Sequence, residues 1–207
     1  MLPAAGRCRQ REKDRYPVRA VVAALLARPG GGGFSTPCRR EVRPAHLGSM
    51  QQAIDIAALP QLEGGTTVVI LRSKWYADIV GSLHRKCVEV LEAKGVDNIV
   101  THTLPGTLEF PFAANEVIAT NADVDAVVCL GVVLKGDTYH FEMIVDECVR
   151  GLGEVSRAAR VPIVNEVLPV TRLADAEARA ADDELNKGIE AAAAAIEIIH
   201  WRRQSKV

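Results

Sequence analysis

The stretch Ala126-Val127-Val128-Cys129-Leu130-Gly131-Val132-Val133-Leu134, followed at once by Lys135-Gly136-Asp137-Thr138-Tyr139-His140-Phe141-Glu142, decides the fold. The first part is apolar without alternation, so it reads as a strand buried on both faces, and the polar break after Leu134 leads into a helical pattern from Tyr139 to Arg157. Working outward, Thr66 to Leu71 is a β-branched apolar run of strand length. It is followed by Ile79, Val80, Leu83, Cys87, Val90 and Leu91 at helical spacing, with Gly95 closing that helix. Asn98 to Leu104 reads as a second strand and Glu109 to Thr120 as a helix; downstream, Pro162 to Leu168 reads as a fourth strand. Leu173 to about Arg202 is helical, with a break expected near Asp182-Asp183 and an alanine-rich second half. Apolar strands alternating with helices predict an α/β chain: a three-layer αβα sandwich around a four-stranded parallel sheet.

The chain has 207 residues, 48% hydrophobic and 25% charged, the balance of a globular protein with one core. Its longest apolar run, Ala20 to Ala27, falls far short of the ~20 residues that cross a bilayer, so no membrane association is expected. Residues 1–49 carry ten Lys/Arg against three Asp/Glu, a net of +7, and leave −8 to the remainder. Without a repeated motif or aromatics to stack on bases, that basic segment does not predict nucleic-acid binding. Glu12, Asp14 and the shortness of the apolar run argue against a targeting peptide. Pro29, Gly30 to Gly33, Pro37 and Pro44 predict a disordered or non-native extension over 1–49, ahead of a single folded domain over 50–207. Cys8, Cys38, Cys87, Cys129 and Cys148 are scattered, without the spacing of a zinc or redox motif. They read as free thiols in a reducing, cytoplasmic compartment, the last three as core filler.

In a parallel sheet the ligand lies beyond the carboxyl ends of the strands, and the informative residues stand there. After the first strand comes Arg72-Ser73-Lys74-Trp75-Tyr76. The Trp75 indole can stack on a flat heterocycle, or cover the rim of its own core. After the second comes Pro105-Gly106-Thr107-Leu108-Glu109-Phe110-Pro111, in which Thr107 is expected to cap the helix. Glu109 either complements the helix dipole or accepts hydrogen bonds from a polyhydroxylated ligand. After the third, Gly136, Asp137 and Thr138 are expected to open a helix whose free amides suit phosphate, with the Asp137 carboxylate turned away. His140, expected about one turn into that helix, suits proton transfer at neutral pH, although a histidine there is also at home as a surface or packing residue. Arg179 and Asn186-Lys187-Gly188 offer cations that could neutralise phosphate or simply face water.

Taken together, a strand-terminal aromatic, Pro105-Gly106-x-x-Glu109-x-Pro111, Gly131-x-Val133-x-Lys135-Gly136-x-Thr138-x-His140-Phe141, a strand beginning with Pro162, then Arg179 and Asn186-Lys187-Gly188 resemble the lumazine synthase family from about Thr66 to Ile199. The resemblance implies a flavodoxin-like fold, a homo-oligomer built from pentamers, sites shared between neighbouring subunits, and neither metal nor organic cofactor. It implies condensation of 5-amino-6-(ribitylamino)uracil with 3,4-dihydroxy-2-butanone 4-phosphate to 6,7-dimethyl-8-ribityllumazine, with loss of phosphate and water. By matching position, Trp75 stacks on the pyrimidine and the backbone around Val133 and Leu134 reads its edge. Thr107, Leu108 and Glu109 line the ribityl and ring pocket. The amides of Asp137 and Thr138 hold phosphate, with Arg179 of the adjoining subunit and Lys187 nearby, and His140 transfers protons. The chain departs from the family at Val164-Asn165-Glu166-Val167-Leu168-Pro169, where an apolar residue, Gly and then Leu-Thr are usual. Asn165 stands where a neighbouring subunit usually covers the heterocycle. Two other readings are an archaeal-type riboflavin synthase, against which Arg179 and Gly136-Asp137-Thr138 argue, and an idle flavin-binding or shell-forming homologue, against which Glu109, His140, Arg179 and Lys187 argue together.

Overall fold

The computed structural model describes residues 52–205; the expectations for 1–49, with Cys8 and Cys38, lie outside them. Four strands, β1 (Thr67–Ser73), β2 (Asn98–Leu104), β3 (Ala126–Leu134) and β4 (Ile163–Val170), alternate with α1 (Ala77–Ala93), α2 (Phe110–Thr120) and α3 (His140–Ala159). Two further helices, α4 (Leu173–Arg179) and α5 (Lys187–Gln204), complete the domain, separated at the expected acidic break. All strand pairs are parallel, in the order β2-β1-β3-β4. Among the described residues no helix is long and apolar enough to cross a membrane.

Alternate residues of each strand supply two cores. Val68, Ile70, Ala126, Val128 and Leu130 face α1 and α5, while Val69, Leu71, Val127 and Cys129 face α2 and α3. This is the double burial that the unalternating apolar runs predict. On the first face α5 approaches α1 so closely that a Cβ on Gly188 would lie 2.0 Å from the Leu83 carbonyl oxygen. Cys87, Cys129 and Cys148 are buried and unpaired, as expected of core filler. Burial pushes the Cys87 thiol up to about 12 and the Cys148 thiol to about 11, and raises that of Cys129 well above the usual range.

Two local expectations are corrected. The N-cap of α2 is Glu109, not Thr107, which is buried two residues earlier on the same loop. Likewise His140 is the first residue of α3 rather than one turn inside it. The reason is that the chain is still tied to β4 just past β3: the Lys135 amide donates to the Val170 carbonyl at 2.8 Å, so residues 136–139 are needed to turn the chain. Gly136, Asp137 and Thr138 therefore form an exposed loop ahead of the helix.

Candidate functional site

The strand order places β1 beside β3 although β2 intervenes in sequence, so the crossover after β1 and the one after β3 leave in opposite directions. That reversal opens a crevice at the carboxyl ends, the usual ligand position in such sheets. A cavity of about 440 Å³ lies there, lined from the β1 loop by Lys74, Trp75 and Tyr76, from the β2 loop by residues 105–109, and from the other side by Val132, Val133, Leu134, His140 and Ile144. The β3 wall exists because β3 pairs with β1 only as far as Leu130 but with β4 as far as Leu134. Its last residues stand free of β1 and face the crevice.

Side chains converge on this space with few partners inside the chain. Trp75 is 62% exposed, and the Lys74 ammonium sits 5.9 Å from its ring centroid. The Glu109 carboxylate makes no capping bond to α2. A Cβ on Gly106 would lie 3.1 Å from Glu109 Oε2 and 3.8 Å from Trp75 Nε1, so carboxylate and indole flank the same glycine. Thr107 is buried because Gly131 has no side chain: a Cβ there would lie 2.5 Å from Thr107 Cγ2. His140 is exposed at the rim. Below it, Lys135 Nζ is held 2.7 Å from Glu142 Oε1, tying the strand end to the first turn of α3 and holding the Glu142 carboxyl below its usual range.

A larger cavity, about 830 Å³, opens at the opposite, amino-terminal end of the sheet. Size alone does not make it the reactive site, because Asp97, Asp125 and Arg203 on its lining are engaged with the chain itself. Asp97 accepts the Thr66 amide at 3.0 Å, Asp125 accepts the Thr67 amide at 3.0 Å, and Arg203 donates to Thr66, Asp125 and the Glu63 carbonyl. Among the described residues no group of three or more His, Cys, Asp or Glu is arranged to hold a metal ion.

A family model described as 6,7-dimethyl-8-ribityllumazine synthase matches residues 65–203. The chain belongs to that family. It is similar to 6,7-dimethyl-8-ribityllumazine synthase of Xanthomonas campestris pv. campestris, 41% identical over 134 residues that cover 64% of this chain and 86% of that protein. The proteins of the same name from Xanthobacter autotrophicus and Stenotrophomonas maltophilia are 40% and 39% identical, over 68% and 65% of this chain and 87% and 88% of their own lengths. Lumazine synthases are transferases of riboflavin biosynthesis, and the chain is an enzyme of that family.

Within this lumazine synthase family member, the cavity brings together Trp75, Thr107, Leu108, Glu109, Val133, Leu134 and His140 of the residues expected from sequence. Asp137 and Thr138 lie on the loop beside it, outside its lining. Asn165, Arg179 and Lys187 are elsewhere in the chain. Asn165 is exposed on edge strand β4, its Oδ1 accepting the Val167 amide at 3.3 Å. Arg179 donates to the Asp175 carbonyl at 2.9 Å, and Lys187 is paired with Glu190. Sequence reasoning gave no role to Lys74, Tyr76, Val132 or Ile144. The helical spacing of Ile144, four residues after His140, would have found that residue.

Proposed function

We propose that the chain condenses 5-amino-6-(ribitylamino)uracil with 3,4-dihydroxy-2-butanone 4-phosphate to give 6,7-dimethyl-8-ribityllumazine. The observation that carries this reading is the convergence of an exposed indole, an uncapped carboxylate and an imidazole on one crevice in a chain of this family. Trp75 stacks on the pyrimidine ring, Glu109 accepts hydrogen bonds from its ribityl hydroxyls, and the backbone of Val133 and Leu134 reads its edge. The amides of Asp137 and Thr138, on the loop next to His140, hold the phosphate of the second substrate. The pyrimidine amine attacks the ketone and water leaves to give an imine. Phosphate is then eliminated, and attack of the ribityl-bearing amine on the carbonyl formed closes the ring with loss of a second water. Each step moves protons, and His140 exchanges them with the carbon skeleton and the leaving oxygen. Holding two reactants face to face supplies much of the remaining acceleration.

In this reading Arg179, Lys187 and Asn165 act across subunits in a homo-oligomer built from pentamers, working in the cytoplasm without nucleic acid or membrane. Support comes from their position away from their own chain's cavity, from Phe112 and Met143 exposed on α2 and α3, and from three buried free thiols. A turnover assay with both substrates, read by mass and absorbance of the product, tests the reaction; no lumazine from the wild type rejects it. Sizing the particle tests the assembly, which a monomer of unchanged activity would contradict. Arg179→Ala should raise KM for the butanone phosphate about 10-fold and leave that for the pyrimidine within about twofold. Equal effects on both substrates would place Arg179 elsewhere.

A further inference from the structure

Tyr76 follows Trp75 on the same loop and lines the same cavity, but its backbone is left-handed, with φ 55° and ψ 50°. Among the described residues only Tyr76 and Arg160 hold a positive φ without being glycine. Arg160 directly follows α3, where helices often end in this way. Tyr76 precedes α1, where a cap residue is normally extended. In the left-handed region the Cβ of an L residue crowds the following carbonyl oxygen, a cost that glycine escapes and asparagine tolerates. Asparagine would also cap the free amides of α1, which Tyr76 does not. For backbone and helix alike, then, tyrosine is a poor choice.

Such a conformation persists where its surroundings over-determine it. The Tyr76 carbonyl accepts the Val80 amide at 3.0 Å and starts α1, and the half-buried ring packs against the core between β1, α1 and α5. Packing alone calls for an apolar side chain, not for a flat one with a polar tip. Tyr76 also lines the crevice, together with Trp75, Val132, Val133 and Leu134.

We infer that Tyr76 is a specificity-determining residue whose ring forms a second aromatic wall of the heterocycle subsite. This inference rests on the reading under Proposed function and names a residue to which that reading gives no role. The flat face selects a heteroaromatic ring over acyclic ligands, and the left-handed turn is what presents it there.

Three variants test this. Tyr76→Asn keeps a left-handed backbone without the ring, Tyr76→Leu keeps apolar volume over the core without a flat face, and Tyr76→Phe keeps the ring. Pyrimidine affinity is read by quenching of indole fluorescence, independently of turnover, alongside KM for each substrate. Tyr76→Asn and Tyr76→Leu should weaken pyrimidine binding about 10-fold, the worth of one aromatic contact, and leave KM for the butanone phosphate within about twofold. Tyr76→Phe should stay within about threefold of wild type throughout. Unchanged pyrimidine affinity in Tyr76→Leu, or equal weakening of both substrates, overturns the assignment; if Tyr76→Asn does not fold, Tyr76→Leu decides. Absence of turnover in the wild type counts against the proposed reaction, whereas the fluorescence titration still reads the role of Tyr76.

Discussion

The two ends of the sheet carry similar residue types and use them differently. At the amino end, Asp97, Asp125 and Arg203 all find partners on the chain that holds them, around the larger cavity. At the carboxyl end, Trp75, Glu109 and His140 surround a smaller cavity and are left open toward it. Strand starts present free amides that a carboxylate can hold, so charge there stabilises the fold. Strand ends lead into helix starts and turns, where a polar side chain left without an internal partner is available to a ligand. Cavity volume alone points to the opposite end from the one where these open side chains converge.

The sharpest way to break this contrast is His140→Asn. If the carboxyl end is chemical, turnover should fall about 10-fold to 10³-fold, the range of general acid/base contributions partly replaced by water. The melting temperature should move by no more than about 2 °C, because His140 is exposed and begins its helix without capping it. Pyrimidine affinity should change by less than about 1 kcal/mol. Normal turnover, or lost stability and affinity together, would make His140 a spectator or a packing residue.

Asp125→Ala makes the converse test at the amino end. It removes the acceptor of the Thr67 amide and one of the three partners of Arg203, at 3.4 Å and partly exposed on both sides. The pair itself adds little, and the orphaned amide sets the scale, so urea denaturation should show a loss of about 1–2 kcal/mol. kcat/KM per folded enzyme should stay within about twofold. A large drop in kcat/KM with unchanged stability would reverse the assignment of the two ends.

Legibility in the sequence followed the range of the interactions. The limits of β2 and β3 were readable to the residue, because turn residues bound β-branched apolar runs on both sides. The helical pattern from Tyr139 was within one residue of the start of α3, but Gly136, Asp137 and Thr138 were misplaced in that helix, since their course depends on the pairing of Lys135 with Val170, a contact between segments far apart in the chain. Thr107 looked like a cap for the same reason: only the missing side chain at Gly131 lets it sink into the core. The left-handed turn at Tyr76 was invisible because nothing local announces it. Trp75, Glu109 and His140 were readable because parallel sheets put strand-end loops together whatever their sequence. The roles given to Asn165, Arg179 and Lys187 came from resemblance, and the single chain leaves all three away from its own cavity.

The smallest expected effect belongs to neither end. Glu166 lies midway along β4, opposite Leu130, and its side chain faces the first turn of α5, where Lys187 pairs with Glu190. Burial pushes its carboxyl up to about 7, and Glu190 adds to the rise while Lys187 opposes it. A raised carboxyl pKa means that the folded chain holds a proton that the unfolded chain releases at about pH 4.5. Glu166 therefore costs nothing below that pH and destabilises progressively as pH climbs to about 7, with the full penalty present above it. Solvent screening of the partly exposed carboxyl reduces that penalty to about 1 kcal/mol. Glu166→Gln should accordingly leave the urea midpoint at pH 4.5 unchanged and raise stability at pH 8 by about that amount. The same variant should keep the pH profile of kcat, which the proposed mechanism assigns to His140 at the carboxyl end. A kcat profile that moved with Glu166 would join the β4–α5 contact to the chemistry and remove the separation between a stabilising interior and a reactive rim.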